Sequence, residues 1–245
     1  MDSALQILKK QFTINPKDVD FRCTLKVSSL INYYIEAAWN HAEALNLGFS
    51  HLTPLGLAWV LTRLKFIIHS VPTWPGELVL ETWPKGMDRI QYIRDAEIKD
   101  GNNKAVASIT STWMIIDAKS KRPKVHLKDE ELLYKLKDKH AVEETLPALS
   151  FSGEPESVTP YTVRYSDVDM NHHLTTLRYL EFMFDTYSED FILKNQPKEI
   201  TVNFLREVMF GSRLEMKRFI SDNYHGFELL NTDTGTVSFR GEIVY

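Results

Sequence analysis

The chain has 245 residues, of which 43% are hydrophobic and 25% charged, and its formal net charge is -4. That length admits one or two domains, and ten Gly and ten Pro exclude collagen-like and low-complexity chains. A single Cys excludes a disulfide framework and a Cys-based zinc site, and the mildly acidic balance argues against general nucleic-acid binding. No apolar run approaches the roughly 18 residues of a membrane span. The opening Met1-Asp2-Ser3-Ala4-Leu5-Gln6 lacks a basic segment leading into a long apolar one, and no Arg- and Ser-rich transit segment is evident. A cytoplasmic location without membrane contact is expected.

In chain order, Cys23 beside Arg22 is expected in a strand, as a small packing residue. A helix is predicted over about 30–47. Ser28 and Ser29 can cap it, Leu30, Ile31, Tyr34, Ala38 and Trp39 recur at helical spacing, and Gly48 can stop it. Strands are expected at about 59–69, 77–83, 90–99 and 105–117, with Asp100-Gly101-Asn102 turning a hairpin. The stretch 118–158 mixes Lys119, Lys121, Arg122, Lys124 and Lys128 with acidic and Pro-containing sequence, so it reads as a surface linker with a short helix near 129–136. The order then repeats. A strand at 161–165 precedes a helix at 175–194, followed by strands at 199–207, 213–221, 227–231 and 236–245.

Setting Gly76 on Gly211 brings the two halves into correspondence, with low identity but a shared order. A helix apolar on most faces needs a sheet around it. The expected fold is therefore α+β, a tandem (double) hotdog with two antiparallel sheets, each wrapped around a central helix. The expected divisions are an N-terminal repeat over 1–117, a linker over 118–158 and a C-terminal repeat over 159–245.

The densest polar cluster is Asp167-Val168-Asp169-Met170-Asn171-His172-His173, between a strand and the second helix. It opens like a calcium loop, but His172 and Arg178 stand where that loop needs Gly and Glu. A helix cap needs one such side chain, so two Asp, an Asn and two His exceed that requirement. Unpaired N–H groups at the helix start could hold an oxyanion at a thioester or amide carbonyl. Glu207, after Arg206, is expected at a strand end on the face of Leu205 and Asn203. There is no Gly-x-Ser-x-Gly elbow and no nucleotide-binding Gly motif, and no cofactor or metal is expected.

The run from Arg164 to His173, continuing through Arg178-Tyr179, resembles the signature of the acyl-acyl carrier protein thioesterases. Trp59-Val60-Leu61-Thr62-Arg63, Pro72-Thr73-Trp74-Pro75-Gly76, Thr82-Trp83, Ser111-Thr112-Trp113-Met114 and Phe204-Leu205-Arg206-Glu207 resemble that family in the same order. The resemblance implies the tandem hotdog fold. It also implies hydrolysis of fatty acyl-acyl carrier protein thioesters to free fatty acid and holo-carrier, ending chain elongation. The family's catalytic residues carry over onto Asp169, Asn171, His173 and Glu207. The expected partner is an acyl carrier protein bearing a phosphopantetheine-linked chain, and a homodimer is possible. Val208 stands where the plant enzymes have Cys after that Glu. The missing transit segment points to a bacterial member.

The first half is expected to lack the chemistry, because no Asp, Asn or His occurs between Phe21 and Leu30, and Pro72 falls opposite Glu207. That half is left to line the acyl pocket. The competing readings are an acyl-CoA thioesterase, a hotdog hydroxyacyl-thioester dehydratase and a non-catalytic acyl-thioester binding module.

Overall fold

The computed structural model describes residues 6–125, 136 and 138–245. The chain forms two compact units, Met1–Leu146 and Pro147–Tyr245. In the first, β1 (Leu8–Thr13) leads to α1 (Val27–Ala44), the single turn α2 (Phe49–Leu52), β2 (Leu57–Ile68), β3 (Glu77–Asp88), β4 (Gln91–Asp100), β5 (Ala105–Asp117) and the two-residue β6 (Pro123–Lys124). The second contains β7 (Ser157–Thr162), α3 (Thr176–Phe184), α4 (Glu189–Lys194), β8 (Glu199–Phe204), β9 (Arg213–Ile220), β10 (His225–Asn231) and β11 (Thr236–Val244).

Strand order is β1-β3-β4-β5-β2 in the first unit and β7-β9-β10-β11-β8 in the second, antiparallel throughout. Each unit thus lays its five principal strands in one order and packs a helix on them: the double hotdog, an α+β fold. In the first, α1 packs on β1 and β3; its Leu30, Ile31, Tyr34 and Ala37 are buried with Leu78, Leu80, Ile98 and Ile109 of the sheet. In the second, α3 packs on β9 and β11 through the buried Tyr179, Leu180, Phe182 and Met183. Close approach is built into the sheet there: a Cβ on Gly241 would meet Met183 Sδ at 2.6 Å. Among the described residues no helix is long and apolar enough to cross a membrane.

Several expectations need correction. The first strand is Leu8–Thr13, an edge strand in which only Phe12 is buried, so its sequence shows little alternation. Cys23 is not in a strand. It is exposed in a turn with φ 59°, held where Cys23 N–H donates to Asp20 O at 2.9 Å. The helix expected over 175–194 is two helices. Thr186 and Tyr187 N–H donate to carbonyls three residues back, which tightens and ends α3. The Thr186 carbonyl accepts from Arg218 Nη1 at 2.7 Å, and Ser188 caps α4 by accepting from Phe191 N–H.

The stretch 118–158 is shared between the units over its described residues. Lys124 pairs with Ile115, leaving Lys119, Lys121, Arg122 and Lys124 exposed around the β5–β6 turn. Further on, Ala141 N–H donates to Asp95 at 2.9 Å, and Leu146 O accepts from Arg63 at 2.5 Å. Past the division, Leu149 N–H donates to Asn203 Oδ1 at 2.8 Å, and Phe151 stacks on Phe219 at 5.7 Å. Lys128 and most of the short helix expected over 129–136 lie outside the described residues. The turns at Asp100 and Asn231 form as read: the Asp100 carboxylate accepts from Asn102 and Lys104 N–H, and the Asn231 amide oxygen accepts from Asp233 N–H.

Candidate functional site

The cluster folds as a tight loop between β7 and α3. Asp169 is its pivot. Its N–H donates to His173 O at 2.8 Å, while its Oδ1 accepts from Asn171 N–H at 2.8 Å and His173 N–H at 3.2 Å. Closing so short a loop puts His172 at φ 63°, the left-handed region that costs most residues about 1–2 kcal/mol. His173 then bridges to Met209, and Leu174 N–H donates to Val208 O at 2.8 Å, stitching the loop to the segment that follows β8.

That stitch brings Glu207 to the loop: His173 Nε2 and Glu207 Oε2 stand 3.4 Å apart. Glu207 does not sit on the strand, as alternation suggested. Leu205 and Arg206 N–H both donate to Ser238 O, so the ladder slips, β8 ends at Phe204, and Asn203 is buried while Leu205 is exposed. Asn171 is on the same loop, with Nδ2 3.5 Å from Asp169 Oδ2, at the limit of a hydrogen bond. Asp169, Asn171 and Glu207 are exposed; His173 is half-buried. All four residues singled out in the sequence therefore meet within the second unit.

Beneath the loop, Asp167 is 2% exposed. It accepts from Arg164 N–H at 2.7 Å and Tyr161 OH at 3.2 Å, and pairs with Arg178 Nε at 2.9 Å. Six loop amides are spent inside the fold: those of Asn171, His172 and His173 on Asp169, Asp169 on His173, Leu174 on Val208 and Thr175 on Asp167. The oxyanion donors expected at the helix start therefore cannot include these. Among the described residues no group of three or more His, Cys, Asp or Glu is placed to hold a metal ion.

The first unit carries the same loop. Asp20 N–H donates to Thr24 O at 2.8 Å, and Asp20 Oδ1 accepts from Arg22 N–H at 2.9 Å and Thr24 N–H at 3.1 Å. Thr24 bridges to Thr73, and Leu25 N–H donates to Pro72 O at 2.9 Å. Bond for bond, Asp20, Arg22, Cys23 and Thr24 correspond to Asp169, Asn171, His172 and His173. Pro72 corresponds to Val208, which places Val71 opposite Glu207. The expectation that no acid stands at the counterpart position is thus corrected, because the counterpart begins at Asp20, just before Phe21. Setting Gly76 on Gly211 was one residue out of register: the β1–β3 pair Thr13↔Glu77 matches the β7–β9 pair Thr162↔Arg213.

Residues 6–133 match the family model of the acyl-ACP thioesterase N-terminal domain and residues 152–244 that of the C-terminal domain. The chain belongs to the acyl-ACP thioesterase family. It is 25% identical over 218 residues to oleoyl-acyl carrier protein thioesterase 2 of Arabidopsis thaliana, a chloroplastic protein, covering 81% of this chain and 59% of the relative. The chain spans about 60% of the length of curated relatives of this kind. Among solved structures, an acyl-ACP thioesterase of Bacteroides thetaiotaomicron superposes with a TM-score of 0.88 at 23% identity, covering 100% of this chain and 99% of that one. The 12:0-ACP thioesterase of Umbellularia californica gives 0.84 at 20% identity, covering 97% and 93%. At these identities the structures speak to the fold.

Proposed function

We propose that this protein hydrolyses the thioester between a fatty acyl chain and the phosphopantetheine arm of an acyl carrier protein, releasing free acid and carrier thiol. The observation that carries the reading is the His173–Glu207 contact of 3.4 Å, held against the Asp169–Asn171 loop in a chain of this family. Asp169 Oδ1 is committed to two backbone N–H groups. Glu207 faces the His173 ring and is open to solvent, so it is the better base. It takes a proton from water as the water oxygen attacks the thioester carbon, and as the C–S bond breaks that proton passes through His173 to the departing sulfur. Asn171, on the same loop, orients water or the carbonyl through its amide. Each such acid–base role is worth about 10²–10⁴-fold in rate, and contacts in an unliganded site tighten on binding.

The same reading makes the protein a bacterial cytoplasmic enzyme, as a monomer or a homodimer, supplied by a soluble carrier. A single exposed thiol at Cys23 suits a reducing compartment. Purified protein incubated with acyl carrier protein thioesters of several chain lengths should release stoichiometric free acid and thiol, faster than from acyl-CoA. Binding without release would leave a binding module. Turnover restricted to hydroxyacyl thioesters, with water lost and no thiol freed, would point to a dehydratase.

A further inference from the structure

An acyl-transfer site must hold the negative charge that develops on the carbonyl oxygen. The Asn171, His173, Leu174 and Thr175 amides are occupied and cannot supply that donor. Tyr179 lies on the second turn of α3. It is 5% exposed, and its ring packs against Phe204 at 5.5 Å and Phe239 at 5.1 Å, where β8 runs out toward Glu207. Its hydroxyl makes no hydrogen bond among the described residues. That oxygen is not among the fully enclosed polar atoms left without a partner, so the phenol's tip opens from its buried ring toward solvent, where a ligand at the reactive site can meet it. Burial, and then the negative charges of Glu207 and Asp169, push the phenol's pKa up, which places it within their field and keeps it protonated at neutral pH.

The first unit supplies an independent argument. Leu25 corresponds to Leu174 through the shared loop, and the ring pair Phe12–Tyr33 corresponds to Tyr161–Phe182. That register places Leu30, fully buried, where α3 has Tyr179. The silent half therefore replaces Asn171 by Arg22, His173 by Thr24, Glu207 by Val71 and Tyr179 by Leu30. Packing alone accepts a plain hydrocarbon at that position. The hydroxyl is present in the unit that also has the acid, the amide and the imidazole.

We propose that Tyr179 is a further catalytic residue, whose hydroxyl donates a hydrogen bond to the thioester carbonyl oxygen. The inference rests on the thioesterase reading. As Glu207 takes the proton from water, its negative charge is in effect moved to the carbonyl oxygen, where the Tyr179 O–H holds it. The proton stays on the phenol throughout. When the carbonyl reforms and the sulfur leaves, the charge departs with the sulfur and is quenched by His173.

The test is Tyr179→Phe, which removes one oxygen and keeps the ring between Phe204 and Phe239. Parent and variant are compared for thermal unfolding, kcat and KM on a carrier thioester, followed by thiol release. The expected result is a kcat lowered about 10²–10³-fold, the typical cost of one oxyanion donor, with KM little changed and an unfolding temperature equal to or above the parent's. A variant kcat within about threefold of the parent would overturn the role of Tyr179 and leave the thioesterase reading intact. A parent that frees no thiol would overturn both. A loss of activity matched by loss of folding would assign the hydroxyl to the core and also overturn the proposal; Tyr179→Leu, copying Leu30, separates these outcomes if Tyr179→Phe proves unstable.

Discussion

Residues 18–25 and 167–174 trace one backbone with two chemistries. In both loops an Asp accepts two amides and its own N–H closes the turn, and in both the fourth residue from the Asp bridges to the segment before the third strand. The left-handed residue also recurs, Cys23 at 59° and His172 at 63°. The difference lies in what the loop presents. In the first unit Arg22 folds back onto Asp20, its Nη2 2.6 Å and its Nε 2.9 Å from Oδ2, closing the carboxylate in an ion pair. In the second unit the side chain at that position is the neutral Asn171, and Asp169 stays exposed. The turn is therefore a structural element that needs an Asp in either unit. An Asp in this place is not by itself a sign of catalysis; in the function we propose, the imidazole, the distant Glu207 and the Tyr179 phenol are.

The largest expected effect tests that division. Glu207→Ala and His173→Ala should each lower kcat by about 10²–10⁴-fold while the chain stays folded. Asp169→Ala should cost a comparable amount by unmaking the turn, and Asp169→Asn distinctly less, since Asn also forms such turns. Asp20→Ala and Cys23→Ser should keep most of the activity, and thiol alkylation should not abolish it. Restoring Arg22→Asn and Thr24→His in the Glu207→Ala background should not rescue turnover, because Val71 supplies no carboxylate. Loss of activity in a folded Cys23→Ser protein, with acyl trapped on Cys23 in the parent, would break the comparison outright.

A middle-sized effect concerns the anchors beneath the loops. Asp167 is buried against the Arg178 guanidinium and accepts from Arg164 N–H and Tyr161 OH. Asp18 is 8% exposed and accepts from Asn15 N–H at 3.0 Å and Tyr33 OH at 2.7 Å, with no ion pair among the described residues. Removing the charge breaks an ion pair only in the second unit, where Arg178 keeps Glu181 and the Tyr161 hydroxyl as partners. Asp167→Asn should therefore cost about 2–3 kcal/mol and Asp18→Asn about 1 kcal/mol, read by chemical denaturation. Equal costs would show that the two anchors work alike.

The smallest effect is the pH response of the silent loop. Burial pulls the Asp20 pKa up, but the Arg22 side chain and the Arg22 and Thr24 amides outweigh it and hold the carboxyl below its ordinary value of 3.8. A depressed acid contributes its stability above the unfolded-state pKa and loses it as the pH falls through the folded one. Asp20→Asn should thus cost under about 1 kcal/mol at neutral pH, since the pair is partly exposed, and the difference from the parent should shrink as the pH falls below 3.8 and vanish once it passes the lowered folded value. A gap that persists in acid would place the effect in the turn geometry and not in the charge.

Much of this was legible in the sequence for local reasons. Helix and strand periods, turn residues at Asp100 and Asn231, and a contiguous run of acid, amide and imidazole side chains are all short-range patterns, so the repeat and the loop at 167–173 could be read directly. Glu207 was reached through family resemblance, because a lone carboxylate near a strand end looks like any exposed one. Register failed for a similarly local reason: the two Gly are not equivalent, as Gly211 has φ 80° while a Cβ on Gly76 would press on Thr73 O at 2.8 Å. The buried strand pairs Leu78 with Leu214 and Leu80 with Met216 identify the true offset, and burial is not written in a single strand's letters.

The sequence by itself determined the two-unit α+β architecture and the chemical types available to the site, since these follow from spacing and composition within a few turns of chain. Tertiary structure alone decided that β8 breaks at Phe204 to deliver Glu207 to within 3.4 Å of His173, that Asp20 is the neutralised twin of Asp169, and that the buried Tyr179 ring carries a hydroxyl with no hydrogen bond among the described residues. Each of these depends on which distant backbone carbonyl or ring a residue meets, a long-range pairing that no local pattern encodes.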